Sequence, residues 1–457
     1  MERKEFNEER YIMKASPFSI EADEVDIIGV QIQEHGVLSS TTAHTTGLDP
    51  WQQVGLMLIT SFNCAYILFY PSIIMVPLSW GWGVPSMFFF ALFSAYSNWL
   101  LAGFNIVDDQ MFIRYRDIMD FAFGRTMYYI TWILQFINLF LANTGFILAA
   151  GIALKEINAE FSDSPLRLQY FLVISGVAYF IFAFLVPTMS AMKSWLGISA
   201  VLTLTYIIIL VVILVKDGLS ERDRDYDIKG SKADKVFHGL SAIAAIIPAN
   251  SSGMLTEMQS TLRKPAKKNM RRALYLQFTL GLAVYYSITL VGYWAYGSLT
   301  SGYLASDLGG PKWAKVLFNS LVFLQTIVSQ HMFLVPIHEA ADTKFLKLNE
   351  SLYSIDNIIR RFALRALLFA INTLLAAVFP FAGDFVNLVG SMSLIPLTFV
   401  FPSLIFIKVK GKSARTTQWI WHWAIIFFFS LLSIIATFSS IRSIIHNAKV
   451  YSIFADM

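Results

Sequence analysis

Apolar stretches of about 20 residues recur along nearly the whole chain after residue 50, and each is long enough for a helix to cross a bilayer. Of the 457 residues, 56% are hydrophobic and only 14% are charged, whereas an average soluble domain carries about 25% charged residues. A bilayer offers no hydrogen-bond partner to a lone backbone group, and these stretches are too long and continuous for barrel strands. The sequence therefore predicts an all-α polytopic membrane protein.

Hydropathy divides the chain into spans and tails. The polar residues 1–50 are expected to form a cytoplasmic N-terminal tail, residues 51–440 a transmembrane transporter domain, and residues 441–457 a short extracellular tail. No apolar segment followed by a small-residue cleavage site occurs in the first 50 residues, so no signal peptide is expected. The eleven expected transmembrane helices are 51–80, 83–106, 128–154, 169–188, 195–215, 236–262, 273–296, 313–337, 362–380, 384–407 and 418–440.

Basic residues are concentrated in the loops of one side. With the N-terminus in the cytoplasm, 19 Lys and Arg residues fall in inner loops and 12 fall in outer loops and the C-terminal tail. One outer segment, residues 216–235, supplies six of those 12 and balances them with six acidic residues. Because cytoplasmic loops carry an excess of Lys and Arg, the N-terminus is predicted to be cytoplasmic and the C-terminus extracellular.

Two spans carry polar and helix-breaking residues at their centres. Span one contains SFNCAYILFYPS at 61–72, and span six contains AIIPANSSGMLTEMQSTL at 245–262. They are the first spans of two consecutive five-span sets, and interrupted helices at matching positions are typical of transporters built from inverted repeats. The sequence predicts a 5+5 repeat plus one further span, with spans one and six broken. Each break taken alone is also consistent with a kink or a packing point.

An unwound turn inside a bilayer is tolerated where it lines a cavity, because its backbone groups need partners. The outer half of span one would begin near Ala65 with free N–H groups, which suit a carboxylate. The outer half of span six would end near Pro248 with free carbonyls, which suit an ammonium. The predicted ligand is a zwitterion. The primary candidate site residues are Asn63, Cys64, Ala65, Tyr66, Asn250, Ser251, Ser252 and Gly253.

Other polar residues at membrane depth are secondary candidates, since such side chains usually face protein or water. Those of spans three and eight could line the same cavity or form hydrogen bonds between helices; they are Asn143, Thr144, Gln325 and Ser329. For proton coupling the candidates are Glu257, one turn into the inner half of span six, and His331. Glu257 could instead pair with the basic cluster 263–272, and His331 could be a neutral histidine held by hydrogen bonds.

Cofactor chemistry finds no support in the sequence. No cluster has the spacing of metal ligands, and no GxxxxGK[ST] loop for a nucleotide occurs. We therefore expect no cofactor and no metal site, and an ion gradient rather than ATP as the driving force. Cys64 is the only cysteine, so no disulfide can form within the chain.

Several segments resemble the plant amino acid/auxin permease family and, within it, the proline transporter subgroup. They include DPWQQVG at 49–55, IRYRDI at 113–118, NTGFILAAG at 143–151, GMLTEMQSTLRKP at 253–265, KNMRRALYLQFT at 268–279 and GYWAYG at 292–297, with SWLG, LQT, GDF, WHW and a terminal FADM. The resemblance implies a leucine-transporter-like fold of eleven spans that couples proton entry to the uptake of proline and related solutes. It also implies a location in the plasma membrane.

Span six departs from the subgroup. Where the subgroup has a pattern like FAYNTGML, this chain has PANSSGML, so Asn250 replaces the aromatic residue and Ser251 the asparagine. A smaller and more polar wall keeps 4-aminobutyrate and glycine betaine open as alternatives to proline.

The function expected is proton-coupled symport of a small neutral zwitterion, with protons and the lipid bilayer as its other partners and no nucleic acid. A channel would show charge rings or a filter sequence, and none is evident. A sensor usually adds a sizeable cytoplasmic domain, and an enzyme would need a nucleophile and base or a metal set near one interface. None of these features is found. A sensor or channel therefore stays only as the alternative of another class, and an enzyme is not expected.

Overall fold

The computed structural model describes residues 47–450, apart from residues 109, 221–222, 252, 352 and 381. Residues 1–46 of the expected N-terminal tail and residues 451–457 of the expected C-terminal tail lie outside the described residues. Nearly all regular structure within the described ranges is helical. The exception is a short antiparallel hairpin of β1 (Ile106–Val107) and β2 (Gln110–Met111).

The described chain forms fifteen α-helices joined by short 3₁₀ and π turns. They are α1 (Trp51–Phe62), α2 (Val76–Leu101), α3 (Tyr115–Phe123), α4 (Arg125–Ala159), α5 (Leu168–Leu185), α6 (Lys193–Gly218), α7 (Lys232–Asn250), α8 (Leu255–Ser260), α9 (Ala266–Leu276), α10 (Leu282–Tyr296), α11 (Lys312–Phe345), α12 (Ile355–Val378), α13 (Ala382–Val389), α14 (Phe401–Lys410) and α15 (Thr416–Val450).

Among the described residues, nine helical stretches are long and apolar enough to cross a membrane. They are Pro71–Phe104, Arg125–Ala159, Leu168–Leu185, Lys193–Gly218, Ala266–Leu299, Lys312–Phe345, Ile355–Val378, Val386–Lys410 and Thr416–His446. This finding confirms an all-helical polytopic membrane protein. The helices α1 and α8 contain only 12 and six residues, and α7 begins with the polar segment KADK, so the expected spans one and six do not appear in the count.

The first break follows α1. Asn63 ends the helix, Cys64 is extended with φ −81° and ψ 177°, and a 3₁₀ turn begins at Ala65. The Asn63 amide donates to the Ile59 carbonyl at 3.2 Å, which offers the backbone an alternative to a further helical turn. Pro71 then lacks the N–H that an α-helix would use, and a π turn, Pro71–Met75, carries the chain onward.

Span one and span two are joined without a loop. After Pro71–Met75 the chain passes directly into α2, and Ser79 interrupts it with φ 53° and ψ −175°. The Ser79 hydroxyl donates to the Tyr226 carbonyl at 2.9 Å, which ties this bend to the segment between α6 and α7. The segment after the first break and the remainder of α2 are therefore two helices that meet at Ser79 with no loop between them.

The second break separates α7 from α8. Ser251 is extended with φ −158° and ψ 141°, and Gly253 has φ +70°, a conformation that glycine adopts without strain. A β-carbon on Gly253 would also come within 3.0 Å of Asn138 Nδ2 and of Leu394 Cδ2. Glycine is needed at this position both for the backbone turn and for the close approach of α4 and span ten.

The two breaks lie at the centre of the bundle. The helices α4 and α11 pack against each other along much of their length, and α11 also packs on α6. The helix α1 packs on α9, and α7 packs on α2 and α15. This arrangement surrounds both unwound turns with helices, so their backbone groups face protein and a cavity rather than lipid.

Candidate functional site

A cavity lies between the two helix breaks, and we call it the central cavity. Spans one, three, six, eight and ten all contribute to its wall. The lining residues are Ser61, Cys64, Tyr66, Asn138, Ala142, Pro248, Ser251, Phe333, Val386, Val389 and Leu394.

The span-one wall contains three side chains. The Ser61 hydroxyl donates to the Leu58 carbonyl at 2.7 Å, and the Cys64 thiol donates to the Ser61 carbonyl at 3.5 Å. The Tyr66 hydroxyl donates to the Ala142 carbonyl on α4 at 2.5 Å. These hydrogen bonds fix the three side chains, and Tyr66 brings the start of the 3₁₀ turn to this wall.

Asn63 and Ala65 are buried but do not line the central cavity. The Asn63 amide nitrogen donates to the Gly281 carbonyl of span seven at 3.3 Å as well as to the Ile59 carbonyl. The Asn63 carbonyl accepts a hydrogen bond from the Tyr206 hydroxyl of α6 at 3.0 Å. Asn63 therefore shapes the break and joins it to spans five and seven.

The span-six wall contains Pro248 and Ser251. The Ser251 hydroxyl accepts a hydrogen bond from the Thr398 hydroxyl at 2.9 Å, which links the break to span ten. The Asn250 amide donates back to the Ile246 carbonyl at 2.8 Å, and its side chain does not line the cavity. Gly253 lies just beyond the wall, where its carbonyl accepts from Gln135 Nε2 at 3.0 Å. Ser252 lies outside the described residues.

None of the four candidates on spans three and eight lines the central cavity. Gln325 Nε2 donates to Ser329 Oγ at 2.6 Å, and the Thr144 hydroxyl donates to Asn372 Oδ1 at 2.8 Å. Asn143 is fully buried, and neither of its amide atoms has a hydrogen-bond partner among the described residues. The Gln325–Ser329 bond lies within α11, so the interhelical alternative describes Thr144 alone, which bonds from α4 to α12.

Sequence reasoning missed several lining residues. Asn138 lies five residues before Asn143 on α4, and its amide at membrane depth was a signal that could have found it. Phe333 and the span-ten residues Val386, Val389 and Leu394 are apolar residues in apolar spans. Nothing in their local sequence distinguishes them from residues that face lipid.

The charge environment of the central cavity is simple, because none of its described lining residues is ionisable as an acid or a base at neutral pH. The first N–H groups after Ala65 and the last carbonyls of α7 supply partial charges of opposite sign at the two breaks. Such a cavity can satisfy a carboxylate and an ammonium carried by one small ligand.

Glu257 lies beside a second cavity, which we call the lower cavity. Its Oε1 accepts hydrogen bonds from the Tyr115 backbone N–H at 3.1 Å and from Gln135 Nε2 at 3.0 Å. Among the described residues, Glu257 makes no ion pair with the basic cluster 263–272. The residues that line the lower cavity are Arg114, Arg116, Trp132, Gln135, Leu139, Glu257, Pro336 and Glu339.

His331 lies in neither cavity. It is fully buried on α11, where its ring packs against Phe182 with centroids 5.3 Å apart and against His338 with centroids 5.8 Å apart. The structure therefore separates the two candidates for proton coupling, and only Glu257 adjoins a cavity. No group of three or more His, Cys, Asp or Glu residues within the described ranges could hold a metal ion.

The chain was compared with known proteins. The family described as transmembrane amino acid transporter protein matches residues 49–445. Two similar relatives come from Arabidopsis thaliana. GABA transporter 1 is 27% identical, and the alignment covers 65% of this chain and 67% of that protein. Lysine histidine transporter-like 1 is 25% identical, and the alignment covers 83% of this chain and 85% of that protein.

The fold is similar to that of a solved manganese transporter from Eremococcus coleocola, with a TM-score of 0.52 at 12% identity over 89% of this chain and 90% of that one. At this identity the similarity concerns the fold alone. The family match covers most of the chain, including both helix breaks and both cavities. The protein is therefore a transporter rather than an enzyme, and it belongs to the transmembrane amino acid transporter family.

Proposed function

We propose that the chain imports proline or a related small neutral zwitterion across the plasma membrane together with protons. The observation that carries the proposal is that two helix breaks meet at one cavity whose described lining is uncharged. The breaks offer N–H groups on one side and carbonyls on the other, which match the two charged ends of a zwitterion.

The uncharged lining argues against substrates with a charged side chain. Lysine or glutamate would bring a third charge into the central cavity, and no described lining residue could neutralise it. A buried charge without a partner carries a large desolvation cost, so neutral substrates should bind more tightly. Several compared relatives are named as lysine histidine transporter-like proteins, and the present cavity favours a different selection.

Proline is proposed first because of the resemblance to the proline transporter subgroup. A second candidate is 4-aminobutyrate, which is favoured by the 27% identity to a protein named GABA transporter 1. Glycine betaine shares the charge pattern of both. All three fit the same argument from charge, and the shape of the wall formed by Tyr66, Ser251 and Phe333 would select among them.

Glu257 is the residue proposed to carry the proton. Its carboxylate is buried at 6% exposure, and its Oε2 has no hydrogen-bond partner among the described residues. A buried acid with one free oxygen beside a cavity can gain and lose a proton as that cavity opens to water. His331 is a weaker candidate because it adjoins neither cavity.

The proposed architecture has eleven spans in a leucine-transporter-like 5+5 inverted repeat plus one. It is supported by counting the broken helices α1 with its continuation and α7 with α8 as one span each, in addition to the helices that cross unbroken. The N-terminus is proposed to be cytoplasmic, with α3 on the inner side, because the inner loops then carry most of the basic residues.

Uptake of labelled solutes tests the proposal. The chain is expressed in cells that lack their own carriers, and uptake of proline, 4-aminobutyrate, glycine betaine, lysine and glutamate is measured with and without a proton gradient. We expect saturable uptake of at least one neutral zwitterion that falls when the gradient is collapsed. Gly253→Ala, which strains the backbone and crowds Asn138, should reach the surface and transport poorly.

Two results would contradict the proposal. Preferred uptake of lysine or glutamate would overturn the argument from the uncharged lining. Uptake that is unchanged when the proton gradient is collapsed would overturn proton coupling and leave the substrate assignment intact.

A further inference from the structure

The two cavities are stacked along the same three helices. On α4 the central cavity is lined by Asn138 and Ala142, and the lower cavity by residues one to two turns nearer to α3, including Trp132 and Gln135. Span six shows the same displacement from Ser251 to Glu257.

Span eight repeats the displacement, from Phe333 in the central cavity to Pro336 and Glu339 in the lower cavity. All three helices therefore carry lining residues down toward the end of the bundle that holds α3. The lower cavity follows the central cavity along one axis.

A thin partition separates the cavities. Gln135 Nε2 donates to the Gly253 carbonyl at 3.0 Å and to Glu257 Oε1 at 3.0 Å, so one side chain joins the break to the lower cavity. Leu139 lines the lower cavity while its neighbour Asn138 lines the central cavity. A solute that moved from the central cavity toward α3 would next meet Gln135 and the lower cavity.

The lower cavity differs from the central cavity in its charge. It contains guanidinium groups of Arg114 and Arg116 and carboxylates of Glu257 and Glu339. Arg116 is 5% exposed and stacks over the Trp132 ring at 3.9 Å, which holds the guanidinium plane in place and leaves its edge for hydrogen bonds.

Two of these groups have unused hydrogen-bonding atoms. Arg116 Nε and Glu257 Oε2 are buried and have no hydrogen-bond partner among the described residues. A buried charged group with an unused atom is costly unless a ligand or water satisfies it. The lower cavity thus offers one donor for an anion and one acceptor for a cation.

We propose that the lower cavity is a second binding site for the transported zwitterion, on its path of release. Arg116 binds the carboxylate of the solute, and Glu257 Oε2 lies against its ammonium group, whether primary, secondary or quaternary. Charges of both signs in one cavity match a zwitterion, whereas a simple ion would be repelled by one of the two groups. This inference rests on the proposed function, because it takes the same solute and the same inner side.

Binding stoichiometry tests the proposal without any variant. Purified full-length chain in detergent is equilibrated with labelled proline, 4-aminobutyrate or glycine betaine over a wide concentration range. Two molecules bound per chain at saturation are expected. Saturation at one molecule would overturn the second site and leave the transport function standing, whereas no saturable binding of any of the three would overturn both.

Variants then locate the second site. Arg116→Gln removes the guanidinium and should reduce the stoichiometry from two to one, while the remaining molecule bound in the central cavity shows that the chain is folded. Arg125→Gln is the matched control, since Arg125 is an exposed arginine that follows α3 and pairs with Asp120. It should keep two. Equal stoichiometry in Arg116→Gln and Arg125→Gln would overturn the assignment of Arg116.

Discussion

The ring of Tyr66 lies directly against Gly145 of α4, so that a β-carbon at position 145 would come within 3.0 Å of Tyr66 Cε1 and would overlap the hydroxyl. The same hydroxyl donates to the Ala142 carbonyl. The absence of a side chain at position 145 therefore allows the span-one wall of the central cavity to rest on span three.

Gly145→Ala should displace Tyr66 and break its hydrogen bond to Ala142. The loss of one such bond costs about 0.5–1.5 kcal/mol of protein stability, and because Tyr66 lines the central cavity we expect the half-saturation concentration for proline uptake to rise. Kinetics of labelled uptake at matched surface expression provide the measurement. Gly197→Ala is the control, because a β-carbon there meets nothing within 4 Å. Equal kinetics in the two variants would contradict the role of this contact.

Glu257→Gln should abolish accumulation driven by protons while the protein still reaches the surface. The amide keeps the size of the carboxylate and can still accept the hydrogen bonds of Tyr115 and Gln135, but it cannot exchange a proton. Accumulation at several external pH values checks this, with Glu350→Gln, an exposed inner-loop carboxylate, as control. Wild-type accumulation and pH dependence in Glu257→Gln would exclude the proposed proton carrier.

Asp342→Asn should destabilise the protein. Asp342 on α11 and Arg365 on α12 form a bidentate ion pair with distances of 2.8 and 2.6 Å, and their side chains are 5% and 1% exposed. Removal of one partner leaves a buried charge uncompensated, which costs about 3–5 kcal/mol of unfolding free energy. Thermal unfolding in detergent should show a clear loss of stability.

The control for this pair is Asp120→Asn. Asp120 pairs with Arg125 at 3.3 Å, but the two side chains are 36% and 64% exposed. An exposed pair contributes about 0–1 kcal/mol, so this variant should unfold almost as the wild type does. Equal losses in the two variants would show that burial of the Asp342–Arg365 pair is not what matters.

Ser251→Ala should weaken uptake of all three neutral solutes, and Asn250→Ala should leave their order of preference unchanged. Ser251 lines the central cavity, whereas the amide of Asn250 donates back to Ile246 within its own helix. Competition by each unlabelled solute against labelled proline measures both effects. A changed order in Asn250→Ala would place Asn250 in the cavity wall, as its position in the sequence suggests.

Asn349 should carry no glycan. Asn349-Glu350-Ser351 matches an acceptor sequence, and Asn349 is exposed between α11 and α12, so only a cytoplasmic location would keep it bare. The check is the gel mobility of protein from a glycosylating host before and after glycosidase treatment.

A positive control for this loop comes from the opposite side. Lys229→Asn completes an acceptor with Gly230 and Ser231 in an exposed segment that is proposed to be outside. It should add a glycan. A glycan on Asn349 in the unmodified chain would reverse the proposed orientation.

The helix breaks could be predicted from sequence because their causes are local. Asn63 and Asn250 bond back to their own helices, Pro71 and Pro248 lack an N–H, and Gly253 takes a positive φ. Each of these effects acts within about one turn. The positions of the breaks follow from them.

The rest of the cavity wall could not be predicted because it depends on contacts between distant segments. Asn63 turns toward Gly281, which lies 218 residues away, and therefore away from the cavity. In span ten, two π turns, Gly390–Leu394 and Pro396–Val400, shift the helix register, so an α-helical pattern does not give the face that carries Leu394. Gln325 does not turn to the cavity because its amide donates a hydrogen bond to Ser329 one turn along the same helix.

The direct passage from span one into span two restricts how the segment after the first break can move. Only the non-helical Ser79 separates the segment after the first break from the helix that follows it, and no loop is present to absorb displacement. The two helices would therefore move together. The hydrogen bond from the Ser79 hydroxyl to the Tyr226 carbonyl attaches this junction to the segment before α7. A displacement of the segment before α7 would thus be transmitted through Ser79 to the 3₁₀ turn that contains Tyr66.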